Sequence, residues 1–310
     1  MRNEDSTYSM NKEIALDPNA APAPRELARL LKQSLGPFYG RYISHFPADR
    51  WWDIYASRFE ITGAASLNEL RMLWTKASHD FARAFREENS WCLNVHRENK
   101  ARPFHSIACL VPNDFGFPAP DDEAFIDSLA GGSAGGSIRT RPAEYVEACR
   151  VLLSQGPEVV LNDPYLANLS EHSRSAILAE LLRATVNTKT TDFVIFSRLP
   201  KNLCEVGAIM EGFDNVISGN ARHCKVSVCL VNRGARDTPD FHQRFLLTKT
   251  GGLVFDRGFE SPPKITHNTV HVMPKELHAT CCDQFIVRRH IWAPTDRPYK
   301  KRWSMPARHV

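Results

Sequence analysis

Between residues 142 and 231 three short apolar runs recur: Glu158-Val159-Val160-Leu161-Asn162, then Asp192-Phe193-Val194-Ile195-Phe196-Ser197, then Lys225-Val226-Ser227-Val228-Cys229-Leu230-Val231. Stretches with helical character, at about 143–153, 173–187 and 203–213, alternate with them. Strands separated by helices of this length are the pattern of βαβ units around a largely parallel sheet, so this part of the chain is expected to be α/β. Downstream the pattern changes. Two strand-like runs, 241–248 and 253–259, flank Lys249-Thr250-Gly251-Gly252 and predict a β-hairpin. A strand at 268–273, a short helix opened by Pro274 and a strand at 284–289 follow. No repeat of short period is visible, which disfavours solenoids and propellers.

The first half is less regular. Residues 1–24 end in Asp17-Pro18-Asn19-Ala20-Ala21-Pro22-Ala23-Pro24 and read as a flexible leader. Pro24 suits the first turn of a helix whose Leu27, Leu30, Leu31 and Leu35 share a face, stopped by Gly36-Pro37. Ser66-Leu67-Asn68-Glu69 has capping-box spacing, and helical periodicity continues to about residue 87. Trp51, Trp52 and Tyr55 read as core packing, and 91–95 and 106–111 as two strands. The expected organisation is a mainly helical domain of unassigned role at 25–130, a Gly/Ser-rich linker at 131–141 and an α/β domain at 142–310. The linker glycines do not form a phosphate loop, because Ser137-Ile138-Arg139 follows where Gly-Lys-Ser/Thr is needed.

Composition narrows the class. A chain of 310 residues with 43% hydrophobic and 24% charged residues is long enough for two domains and excludes global disorder and fibrous proteins. The net charge of +4 is too mild to identify a nucleic-acid binder. Eight scattered cysteines, with Cys281 and Cys282 adjacent, suggest reduced thiols and a cytoplasmic protein. The acidic, polar start is unlike a signal peptide, and no apolar run approaches the roughly 20 residues of a membrane span.

Chemistry concentrates in residues 240–259. On a strand, His242 and Arg244 share one face while Phe241, Phe245 and Leu247 take the other. A guanidinium that grips oxygens in a fork, beside an imidazole that acts as nucleophile or acid/base, suits a phosphate. The hairpin return would bring Asp256 or Arg257 and Gly258 to the same end. The same His-x-Arg spacing also suits a salt-bridged surface pair, and both readings stand at this point. Asp163 closes a predicted strand, where ligands of open α/β sheets gather, although an Asp-Pro turn is itself a common strand end. His267, His271, His278, Cys281 and Cys282 lack the paired spacing of a zinc site, so neither metal nor cofactor is expected. The C-terminal segment carries Arg288, Arg289, Lys300, Lys301, Arg302 and Trp303, a mixture of cations and aromatics that can follow a phosphate backbone and stack on bases.

His242-x-Arg244, the Gly251-Gly252 turn, the return through Arg257-Gly258-Phe259 and the strand ending Asn162-Asp163-Pro164-Tyr165 together resemble divergent phospholipase D-like domains, including those that follow MIT domains and those of bacterial defence and mobile-element proteins. The resemblance covers about 142–310 and implies a mixed sheet flanked by helices. It also implies metal-independent phosphodiester chemistry through a covalent phosphoryl-histidine, with a second His protonating the leaving group. On that pattern His242 is the nucleophile, Arg244 the phosphate clamp in place of the family's Lys, and Asp163 and Arg257 supporting residues. Asp256-Arg257-Gly258-Phe259 stands where the family has a Gly-Ser segment. Two functions follow as expectations. One is binding and cleavage of DNA or RNA, with a homodimer completing the site across a two-fold axis. The other is a degenerate adaptor or recognition subunit of a multi-protein assembly.

Overall fold

A computed structural model describes residues 12–48, 50–59, 64–130, 135–171, 173–186, 188–221, 224–231, 242–289 and 300–303. The chain forms two compact units, the smaller within 11–134 and the larger from 135 onward.

The smaller unit runs β1 (Lys12–Leu16), α1 (Pro24–Gln33), β2 (Arg41–Ser44), α2 (Trp51–Ser57), α3 (Ala64–Ala77), β3 (Ser78–His79), α4 (Trp91–Ala101), β4 (Ser106–Ala108) and α5 (Glu123–Ala130). Its four strands form a parallel sheet in the order β3-β2-β1-β4, so the expected mainly helical domain has a sheet at its centre. Residues 12–16 are not a leader: Ile14, Ala15 and Leu16 are fully buried between β2 and β4. A strand covered on both faces needs only a few apolar residues, which is why so short a run sufficed. The stretch 91–95 is helix, not strand. Ser90 Oγ accepts the Leu93 N–H at 3.2 Å to cap α4, and Trp91 and Val95, one turn apart, enter the core. The helix expected to reach residue 87 ends at Ala77, because Ser78 and His79 pair with Ile43 and Ser44. Ser66 lies within α3 and is not its cap. Trp51 and Trp74 stack at 5.4 Å in one core layer, while Phe46, Trp91 and Phe104 build the other. The buried Glu13 is held by Arg83 through two bonds of 2.7 Å and by the Ser44 hydroxyl at 2.7 Å.

The larger unit runs β5 (Gly135–Arg139), α6 (Pro142–Gln155), β6 (Glu158–Asn162), α7 (Arg174–Arg183), β7 (Asp192–Arg198), a 3-10 turn (Leu203–Glu205), α8 (Val206–Asn220), β8 (Lys225–Val231), β9 (Phe245–Leu247), β10 (Gly252–Phe255), β11 (His267–Val272), α9 (Lys275–Cys282), a π-helical turn (Asp283–Val287) and β12 (Lys300–Trp303). Among the described residues the sheet has eight strands, in the order β12-β8-β7-β6-β9-β10-β11-β5. β6, β7 and β8 are parallel, and every other pairing is antiparallel. The α/β expectation holds. One face packs Leu161, Phe193, Ile195 and Val228 against the apolar sides of α6, α7 and α8. The other packs Val160, Val194, Phe196 and Phe245 against Cys281 and Phe285 of α9 and the π-helical turn.

Several boundaries differ from expectation. Part of the Gly/Ser stretch is strand β5, paired with β11; residues 131–134 lie outside the described residues. A Cβ on Gly135 would stand 2.5 Å from His271 Nδ1, so glycine here permits a close approach of strands. The expected strand at 284–289 is the π-helical turn, which buries Phe285 edge-on against Phe196 and Phe245. The first hairpin strand is shorter than 241–248. Phe241 lies outside the described residues, His242 sits in a turn, and β9 begins only at Phe245. The return strand ends at Phe255, not 259, and a tight turn follows.

Candidate functional site

The carboxyl end of β6 is where the larger unit gathers polar groups. Asn162 makes the last ladder pair with Phe245 of β9 and with Phe196 of β7, after which Asp163-Pro164 leads the chain away. Asp163 is 1% exposed. Its Oδ1 accepts the Tyr165 N–H and its Oδ2 the Phe259 N–H, each at 2.9 Å. The first bond is a local Asx turn, and the second ties β6 to the turn after β10. Burial pushes the Asp163 carboxyl above its ordinary value, while the two N–H bonds and then the nearby Arg244 and Arg174 act in the opposite direction.

Arg244 packs onto this carboxylate corner. Its peptide carbonyl accepts the Phe255 N–H at 2.8 Å, the last rung of the hairpin. Its guanidinium lies 5.0 Å from the centre of the Tyr165 ring and donates from Nη1 to the Asp256 carbonyl at 2.6 Å. Nε is buried and has no partner among the described residues. Gly258, at φ +73°, makes the corner possible. A Cβ there would lie 2.5 Å from Arg244 Cδ and closer still to Asp163 Oδ2. The turn is fastened from below by buried Asn268, which donates to the Gly258 carbonyl at 2.8 Å and accepts the Arg257 N–H at 3.1 Å.

Asp163, Arg244 and the 256–259 turn are therefore brought together, as the hairpin return suggested. His242 is exposed, two residues before Arg244, but the shared strand face expected for the pair does not exist, because neither residue is in a strand. β6 turns away at Asp163-Pro164, and in place of a backbone rung Asn162 Nδ2 donates to the Gln243 carbonyl at 2.5 Å. Sequence reading took Asn162 for a strand-end residue, and its amide role had no signal of its own. Tyr165, 45% exposed, reads in the sequence as part of a turn, which gives no sign that its ring meets Arg244. Arg257 extends an exposed side chain from the turn. His271, also exposed, brings Nε2 to 3.9 Å from Asp256 Oδ1.

The basic C-terminal residues lie elsewhere in the unit. Arg288 pairs with Asp283 at 2.8 Å and Arg289 with Glu158 at 2.6 Å, beyond the amino end of β6. Lys300, Lys301, Arg302 and Trp303 form edge strand β12 against β8. His278 is buried in α9 with Nε2 2.9 Å from the Thr248 carbonyl, so it serves the hairpin. Among the described residues no group of three or more His, Cys, Asp or Glu is arranged to hold a metal, and no helix is long and apolar enough to cross a membrane.

Chemically, the corner offers an anion a half-exposed guanidinium stiffened by a stacked ring and a carbonyl bond, with the exposed His242 two residues earlier in the chain. No protein-family model and no curated protein matches the chain. Among solved structures, that of TrmBL2, an archaeal chromatin protein described as showing a novel mode of DNA binding, aligns with 88% of this chain and 100% of its own at 11% identity. The TM-score of 0.29 does not establish a common fold.

Proposed function

We propose that the larger unit is a phospholipase D-like module that binds a nucleic-acid phosphodiester at the carboxyl end of its sheet and cleaves it through His242. The observation that carries this reading is Arg244. A cation stacked on Tyr165 and seated against buried Asp163 sits at the strand ends, where ligands of such sheets bind. In the reaction, a ring nitrogen of His242 bonds to phosphorus as the P–O bond to the leaving oxygen breaks. That oxygen takes its proton from a second imidazole, supplied by another copy of the chain about a two-fold axis. Water then attacks phosphorus, the P–N bond breaks, and the water proton returns to the second imidazole. Arg244 neutralises charge on the non-bridging oxygens throughout.

A second reading keeps the ligand and omits turnover. It is favoured by the guanidinium's existing bonds to Asp256 and Tyr165 and by Arg standing where the family has Lys; the chain would then be a recognition subunit of a larger assembly. Hydrolysis of bis(p-nitrophenyl) phosphate and of labelled single- and double-stranded DNA and RNA in EDTA separates the two. The expected result is metal-free turnover that falls by about a hundredfold or more in His242→Ala. Turnover unchanged in that variant contradicts the nucleophile assignment, and binding without turnover in the wild type selects the recognition reading.

A further inference from the structure

The His242–Arg244 segment poses a mechanical problem. It carries the chemistry of the proposed site, yet it precedes β9 and has no ladder on the β6 side, since the pairing of β6 with β9 ends at Asn162 and Phe245. Pro164, two residues beyond Asn162, has no N–H to donate there. On the β10 side the Arg244 carbonyl accepts the Phe255 N–H at 2.8 Å; on the β6 side the tie is a side chain, Asn162 Nδ2 donating to the carbonyl of Gln243, the residue between His242 and Arg244, at 2.5 Å. Asn162 is itself fully buried. Its other end, Oδ1, is also buried and has no partner among the described residues. An amide with one end unsatisfied is a poor filler for a core that surrounds it with Val160, Phe196 and Phe245. An aliphatic side chain would fill the same volume without that penalty. The donated bond is therefore the property that distinguishes asparagine from leucine at this place.

We propose that Asn162 is a positioning residue for the phosphodiester site. Its amide replaces the missing rung, fixing the Gln243 peptide and through it the directions in which His242 and Arg244 project. Attack on phosphorus requires the nucleophile to be held close and in line, so loosening this one peptide lowers the rate of the chemical step more than it weakens binding. The proposal rests on the function assigned above to His242 and Arg244, but its mechanical half can be measured without any turnover.

The test uses the full chain with Asn162→Leu, which removes the donor and keeps apolar bulk, and Asn162→Ala, which removes the donor without adding volume. Hydrogen exchange of the 242–245 peptide is read by mass spectrometry, and kcat and KM are read on bis(p-nitrophenyl) phosphate, with His242→Ala alongside. We expect exchange in that segment to quicken about tenfold in either variant while β6 and β7 stay protected. We expect kcat to fall about ten- to a hundredfold with KM within about twofold. If Asn162→Leu does not fold, Asn162→Ala decides. Wild-type exchange at 242–245, or wild-type kcat where His242→Ala is inactive, overturns the positioning role. Full activity in His242→Ala contradicts the nucleophile reading instead, and the exchange result still decides whether Asn162 holds the segment.

Discussion

Gly258 is the residue on which the corner depends most directly. Its positive φ is open to glycine at little strain, and the space where a side chain would begin is filled by Asp163 and Arg244. Gly258→Ala is therefore expected to destabilise the protein by about 2–4 kcal/mol, from backbone strain and overpacking together, with weakened nucleic-acid binding. Urea unfolding monitored by circular dichroism checks the first effect; a variant as stable as the wild type would contradict the packing described. Asp163 was legible in the sequence, because an Asp-Pro pair closing an apolar run marks a strand end. Its use was not, since the Phe259 N–H it accepts comes from 96 residues further along the chain. The His242 and Arg244 identities were likewise legible, but their geometry was not. Alternation applies within a strand, and the β6–β9 ladder ends at Asn162 and Phe245, before Arg244 and His242 are reached.

At the scale of elements, β6, β7 and β8 were readable because dense runs of Val, Ile, Leu and Phe are the signature of strands covered on both faces. β1 was missed because its apolar core is only Ile14-Ala15-Leu16, followed by a turn-rich sequence. Strands β1 and β6 in fact end alike. Asp17-Pro18 closes β1, Asp163-Pro164 closes β6, and each buried Asp accepts the N–H two residues on, from Asn19 and from Tyr165. The segments 91–95 and 284–289 were misread because short apolar runs do not distinguish strand from helix without their caps and partners. Helix α9 is joined to the hairpin through His278, whose buried ring contacts the Thr248 carbonyl. Burial holds His278 below its ordinary value of 6.5, against the backbone bonds to Thr248 and Gly251. The unfolded chain thus binds the proton more readily than the folded one. The contribution is complete above about pH 6.5 and is lost as the pH falls toward the lower folded value. His278→Gln, which retains a donor for Thr248 but cannot titrate, is expected to lose less Tm than the wild type between about pH 7.5 and about pH 5.5. Equal losses in the two proteins would remove His278 from the acid response.

At the scale of the molecule, a four-stranded parallel sheet and an eight-stranded mixed sheet occupy separate units, and the candidate site belongs to the second. The alternation of strands and helices made that second sheet legible in outline. Its antiparallel flank was harder to read, because β9, β10, β11 and β5 are joined by pairings between residues as distant as Arg139 and His267. Arg244, at the carboxyl end of this sheet, is the residue proposed to receive the phosphodiester. The most direct test is fluorescence anisotropy of a labelled single-stranded oligodeoxynucleotide titrated with wild type and with Arg244→Gln, which keeps length and polarity but removes the charge. Binding by the wild type and about tenfold or greater weakening in the variant are expected, with the fold retained by circular dichroism. Equal affinity in the two proteins, or no binding by the wild type, would contradict that role.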